Sequence, residues 1–139
     1  MEEKKVSKRI SSEEVVRKEE TLGQVVKVQQ VIDFFVLSEL QHGRRYQSEL
    51  EQSIVKTLEN VGVSKAYLSR RLQKMAAEGH VIRNWPDDER YNRYYEISES
   101  GMNYFKNMLR DLPPRVKMAQ QVYKLFEDYI WQYSKMSLK

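Results

Sequence analysis

From Val25 onward, apolar residues recur at helical spacing. Val26, Val28, Val31, Ile32, Phe34, Phe35, Leu37 and Leu40 form one broad face, which His42-Gly43 ends. Tyr46, Leu50, Ile54, Val55 and Leu58 carry a second helix, closed by Gly62. Ser64 is a good N-cap for a third helix, in which Leu68, Leu72 and Met75 share a face and Gly79 marks the stop. The period then changes to that of a strand. Val81-Ile82-Arg83-Asn84-Trp85 and Arg93-Tyr94-Tyr95-Glu96-Ile97 read as short strands, and Pro86-Asp87-Asp88-Glu89 as a turn between them. Ser98 caps a fourth helix that runs through Leu109. Asp111-Leu112-Pro113-Pro114 is predicted to break the chain, because neither proline donates a backbone hydrogen bond. A last helix follows, from about Arg115 to Met136.

Three helices, a hairpin, a helix and a long helix are the order of a winged helix-turn-helix with an appended dimerisation helix. The predicted class is mostly α with a small β-hairpin wing. Residues 25–110 would form a DNA-binding domain and 111–139 a C-terminal dimerisation helix. Residues 1–24 form a charged N-terminal extension in which six Lys and Arg face six Glu, with no aromatic side chain. Balanced charge argues against a basic arm that coats DNA. Ser11-Ser12-Glu13-Glu14 resembles a helix start, but Val15 and Val16 can bury little. The extension is therefore expected to be mobile or transiently helical.

Composition narrows the function. The 139 residues are 40% apolar and 32% charged, which suits a folded domain. A net charge of +4 and an isoelectric point near 9.2 favour a polyanionic partner only mildly. Without cysteine, disulfides and thiolate metal sites are excluded. The charged N-terminus is unlike a signal peptide, and no apolar run approaches the roughly 20 residues of a membrane span. The expected location is the cytoplasm, on the nucleoid, with no membrane contact. The two histidines, His42 and His80, lie in separate turns without ligand spacing, and no phosphate loop or nucleophile motif occurs. Asp87-Asp88-Glu89 lacks the spacing of a calcium loop. These features point away from an enzyme and call for no cofactor.

The third helix is the candidate DNA reader. Opposite its buried face it presents Ala66, Arg70, Gln73 and Ala77, flanked by Tyr67, Ser69 and Lys74. Small residues allow close approach to a major groove, where Arg pairs with guanine and Gln with adenine edges. On an isolated helix this would be an ordinary solvated face; its place between a second helix and a wing makes it a reader. Lys65 and Arg71 at the helix edges, and Arg44 and Arg45 before the second helix, are candidate phosphate contacts. In the wing, Arg90 and Arg93 would grip phosphates or a minor groove. The acidic Asp87-Asp88-Glu89 tip would have to point past the backbone, and Arg93 paired with those carboxylates remains the alternative. Tyr91, Tyr94 and Tyr95 suit packing better than base stacking, with Tyr95 inward and Tyr94 undecided.

The last helix carries the sharpest periodicity. Ala119, Val122, Phe126, Tyr129, Tyr133 and Met136 are spaced as a heptad seam, with Leu125, Ile130 and Trp131 beside it. This apolar surface is wider than a small monomer can leave in water, so the chain is expected to form a homodimer through it. Packing on the first helix is the competing use. A small-molecule effector site among the surplus aromatics at the dimer interface stays open.

The stretch from Val31 to Leu109 resembles the PadR family of bacterial regulators. The resemblance is carried by Gln41-His42-Gly43 with Tyr46, by the run from Leu72 to Ile82 that closes the third helix into the wing, and by the run from Tyr91 to Gly101. The last is the most specific: a basic residue, two tyrosines, an apolar residue, Ser, an acidic residue and a Gly. It implies a homodimeric repressor, often released by a small molecule. Two departures lie near the DNA-facing surface. Ala66 stands where the family usually has a tyrosine, with Tyr67 one residue later, and Arg44-Arg45 separate the His-Gly pair from Tyr46. No operator sequence is inherited with the resemblance. Two rival functions remain open: a structural DNA role such as replication termination or plasmid segregation, and a protein-interaction module.

Overall fold

The order of elements follows from where each helix can satisfy its ends. The computed structural model describes residues 26–85 and 93–139. The extension 1–24 and the wing turn with Asp87, Asp88, Glu89, Arg90 and Tyr91 lie outside the described residues. Helix α1 spans Val28–Glu39, beginning later than the apolar pattern suggested, and tightens into a 3-10 turn at Leu40–His42. Strand β1 is only Arg45–Tyr46, and α2 follows at once as Gln47–Thr57. The Glu49 carboxylate accepts the Tyr46 N–H at 2.8 Å, satisfying a donor at the α2 entrance.

Helix α2 stops at Thr57, five residues before Gly62. Asn60 N–H donates to Val55 at 2.8 Å and Glu59 N–H to Lys56 at 3.3 Å, the bond pair of a Schellman end. Glu59 takes up the left-handed backbone that this needs (φ 51°), so no glycine signalled it. Helix α3 spans Lys65–Ala77. As expected, the Ser64 hydroxyl caps it by accepting the Tyr67 N–H at 3.1 Å. Gly79 (φ 82°) ends it, with His80 N–H bonded to Met75 at 2.8 Å.

Strands β2 (Val81–Asn84) and β3 (Tyr94–Ile97) form the expected hairpin, but the sheet has three strands in the order β1-β3-β2, all antiparallel. β1 pairs Arg45 with Tyr95 and Tyr46 with Tyr94. Two residues cannot display a period, so β1 was invisible in the pattern of apolar positions.

Helix α4 is the main correction. It runs as one helix, Glu99–Trp131, straight through Pro113 and Pro114, where a break was predicted. The prolines remove the donors that would reach the carbonyls of Leu109 and Arg110, but their fixed φ is itself helical. Residues 109–111 and 113–114 are exposed, so water can take the orphaned carbonyls. The α-helix also ends at Trp131 rather than Met136. Bonds from Gln132 to Tyr129 and from Tyr133 to Ile130 tighten the chain into turns there, and the Ser134 hydroxyl competes for the Trp131 carbonyl.

The chain divides into two units, one of which is Val28–Asp111. Its core comprises Ile32, Val36, Leu37 and Leu40 of α1 and its 3-10 end, Leu50 and Ile54 of α2, Leu68, Leu72 and Met75 of α3, Val81 and Tyr95 of the sheet, and Met108 of α4, all buried. Phe34 and Phe105 stack at 5.0 Å beside it. Among the described residues, one charged side chain is fully buried. Asp33 is fully buried and accepts three hydrogen bonds: Arg71 Nε at 2.9 Å, Arg71 Nη2 at 2.6 Å and the Tyr104 hydroxyl at 2.6 Å. This clasp ties α1, α3 and α4 together.

The start of α4 is seated on the α3–β2 turn. The Ser98 hydroxyl donates to the Gly79 carbonyl and accepts the Gly101 N–H at 3.0 Å, while the Ser98 N–H reaches the His80 carbonyl at 3.2 Å. A methyl group on Gly101 would overlap that His80 carbonyl and crowd the Ile97 side chain. The glycine of the Ser-Glu-Ser-Gly run is thus demanded by close approach.

In the other unit, the described residues are Val26, Lys27 and Leu112–Lys139. Val116, Tyr123, Leu125, Phe126, Tyr129, Ile130, Trp131, Tyr133 and Met136 are exposed. Ala119 and Val122 are half-buried. Tyr129 and Tyr133 meet edge-on at 5.3 Å with their hydroxyls 3.2 Å apart. Lys124 meets Asp128 at 2.9 Å and Glu127 at 3.7 Å.

Candidate nucleic-acid interface

Because Leu68, Leu72 and Met75 are fully buried, the opposite side of α3 is turned outward. Ala66, Arg70, Gln73 and Ala77 are all exposed, as are Lys65 and Lys74, and Tyr67 and Ser69 are half-buried at the margins. Arg70 lies 5.7 Å from the Tyr67 ring centroid. No acidic residue occurs in α3, so the stripe is cationic. It has the form of a surface that can approach another macromolecule closely.

The basic residues around it differ in what already holds them. Arg71 departs most from the reading as a phosphate contact. Its guanidinium forks onto Asp33 inside the fold, and that hydrogen bond, opposed by burial, raises its pKa further above the ordinary arginine range. Angle along α3 puts Arg71 at the helix edge, but angle does not reveal a buried carboxylate on another helix. Arg45 pairs with Glu39 at 3.5 Å, and Lys74 with Glu78 at 3.7 Å. Arg44 stacks on Tyr94 at 4.4 Å and donates to its hydroxyl at 3.0 Å. Tyr94 therefore sits on the outer face of the sheet, edge-on to Tyr46. Tyr95 faces inward as expected, its hydroxyl pKa raised by burial against the opposing pull of Arg83 and Arg93. Among the described residues, no carboxylate pairs with Lys65, Arg70 or Arg93. Arg90 lies outside the described residues.

Two residues of the wing were missed by sequence reasoning. Arg83 and Trp85 belong to the same cluster as Arg93, with both guanidiniums stacked on the indole. The signal was available: alternate strand positions put Arg83 and Trp85 on one face.

No family model matches the chain, and no curated protein sequence matches it. Solved structures do. A transcriptional regulator from Clostridium thermocellum is similar over 78% of this chain and 97% of its own, at 17% identity and TM-score 0.55. The fold is a winged helix. A Thermoplasma acidophilum protein designated a transcriptional regulator is similar over 76% of this chain and 93% of its own, at 19% identity and TM-score 0.57. RosR from H. salinarum covers 79% and 98% respectively, at 13% identity and TM-score 0.52. In winged-helix terms, α3 is the third helix of the motif, β2 and β3 are the wing, and α4 is the C-terminal helix. Among the described residues, no group of three or more His, Asp or Glu side chains could hold a metal ion, and no helix is long and apolar enough to cross a membrane.

Proposed function

We propose that this chain is a sequence-specific double-stranded DNA-binding regulator of transcription, a repressor of the PadR kind, acting as a homodimer. The observation that carries the reading is the α3 surface. It is an exposed, acid-free stripe of Ala66, Arg70, Gln73 and Ala77 within a winged helix whose structural neighbours include transcriptional regulators. Arg70 and Gln73 read base edges, while Lys65, Arg93 and Arg44 meet phosphates. Residues 25–110 act as the DNA-binding domain and 111–139 as the dimerisation element. A two-fold dimer places two α3 helices on one face of the duplex, so the site is an inverted repeat with half-sites one or two turns apart.

Selection of genomic fragments followed by footprinting tests this. The expected result is an inverted repeat overlapping a promoter. Arg70→Ala should then cost about 1–3 kcal/mol on that site and relax preference at one base pair per half-site. Lys65→Ala should weaken operator and scrambled duplex alike. Absence of any salt-dependent duplex binding would overturn the reading, and a footprint far from promoters would favour a structural DNA role. Equal loss on both duplexes with Arg70→Ala would remove α3 as the reader.

A further inference from the structure

The core-side face of the wing sheet changes character along its length. At its inner end Val81 pairs with Ile97. Next, Arg83 stands opposite Tyr95, and one step beyond the last paired residues Trp85 comes opposite Arg93. The apolar layer thus runs outward into a cationic and aromatic lip. The guanidinium carbon of Arg83 lies 4.8 Å from the Trp85 ring centroid and that of Arg93 4.6 Å. The indole in turn meets the buried Tyr95 ring edge-on at 6.5 Å. Two like charges are thereby gathered on one exposed side chain. Among the described residues, no carboxylate pairs with either.

Two guanidinium groups side by side on an exposed lip make a place that suits an anion. Stacking uses the face of a guanidinium and leaves its N–H edge free to bond oxygens. It also fixes a long side chain that would otherwise lose rotamer freedom on binding. Resting on the DNA-binding reading above, we propose that Trp85 is a positioning residue which holds Arg83 and Arg93 as a paired phosphate clamp on the wing. The clamp grips backbone and not base edges, so it acts on any sequence and complements the reading by α3.

The test uses the full chain and a random-sequence duplex of about 40 base pairs, with affinity measured across a salt series. Arg83→Ala and Arg93→Ala should each lower affinity about five- to tenfold and make the salt dependence shallower by about 0.9 in log–log slope. Trp85→Ala keeps both charges yet should lose about three- to tenfold in affinity with a smaller change in slope, and Trp85→Tyr should restore most of it. If Trp85→Ala no longer unfolds cooperatively, Trp85→Tyr, Arg83→Ala and Arg83→Lys decide the matter, the last keeping the slope but losing affinity. An unchanged slope in Arg83→Ala, with wild-type duplex binding intact, would mean the stack only shields Tyr95 and would overturn the clamp alone. Full affinity in Trp85→Ala would overturn its positioning role. Wild-type protein without salt-sensitive duplex binding would overturn both the clamp and the DNA-binding reading.

Discussion

Asp33 interrupts the apolar run Val31-Ile32-Phe34-Phe35 and points into the core, where Arg71 and Tyr104 meet both of its oxygens. Removing one partner of such a pair leaves the other charge buried, so Asp33→Ala should cost about 3–5 kcal/mol in denaturant unfolding. A loss under 1 kcal/mol would show that the clasp is not a structural requirement. Its tyrosine gives the fold a response to alkali. Burial first, and then the bond to Asp33, push the Tyr104 hydroxyl well above the ordinary tyrosine range, and burial pushes Tyr95 the same way. Above about pH 10 the unfolded chain releases these protons while the folded chain keeps them. Stability is therefore complete below about pH 10 and falls beyond it, by up to about 1.4 kcal/mol per pH unit for each tyrosine. Unfolding curves between pH 9 and pH 11 would check this, and a flat profile would contradict it. Tyr104→Phe should lower stability at pH 8 by about 1.5–3 kcal/mol while making the alkaline fall less steep. None of this was legible in the sequence: one polar residue in an apolar run is ordinary, and its partners lie 38 and 71 residues away.

Elements whose signals are local were read correctly. Ser64, Gly79 and the Leu68, Leu72, Met75 spacing located α3 closely, because cap, stop and buried face agree. Elements whose signals are overruled or too short were not. β1 exists only through its pairing with β3, and the end of α2 rests on a left-handed glutamate. The two prolines of α4 predict a full break, yet in an exposed stretch they cost hydrogen bonds without ending the helix. Pro113→Ala and Pro114→Ala should each stabilise the protein by about 1–3 kcal/mol at fixed protein concentration, having no packing to lose. Urea midpoints would register this. A destabilised double variant would mean that the prolines serve the fold.

For the whole molecule, the question is where the apolar side chains from Tyr123 to Met136 go in solution. Phe126, Tyr129 and Trp131 are each more than half exposed, an apolar surface of the kind that marks an interaction site. Phe126→Asp with Tyr129→Asp should convert the proposed dimer to monomers by bringing charges together across the interface. The winged-helix unit should keep its cooperative unfolding. Sedimentation of the wild type as a monomer at micromolar concentration would count against the dimer. The heptad spacing that suggested it was plain in the sequence, although the turns after Trp131 cut the regular seam short of Tyr133 and Met136. The packing at Gly101 bears on how any movement travels within the winged-helix unit. With no room for a single methyl between the start of α4 and the His80 carbonyl, that contact behaves as a hard stop and not as a spring. Pushing the first turn of α4 toward the sheet must carry the end of α3 and the root of the wing along with it, so α3 and the wing would be displaced as one piece.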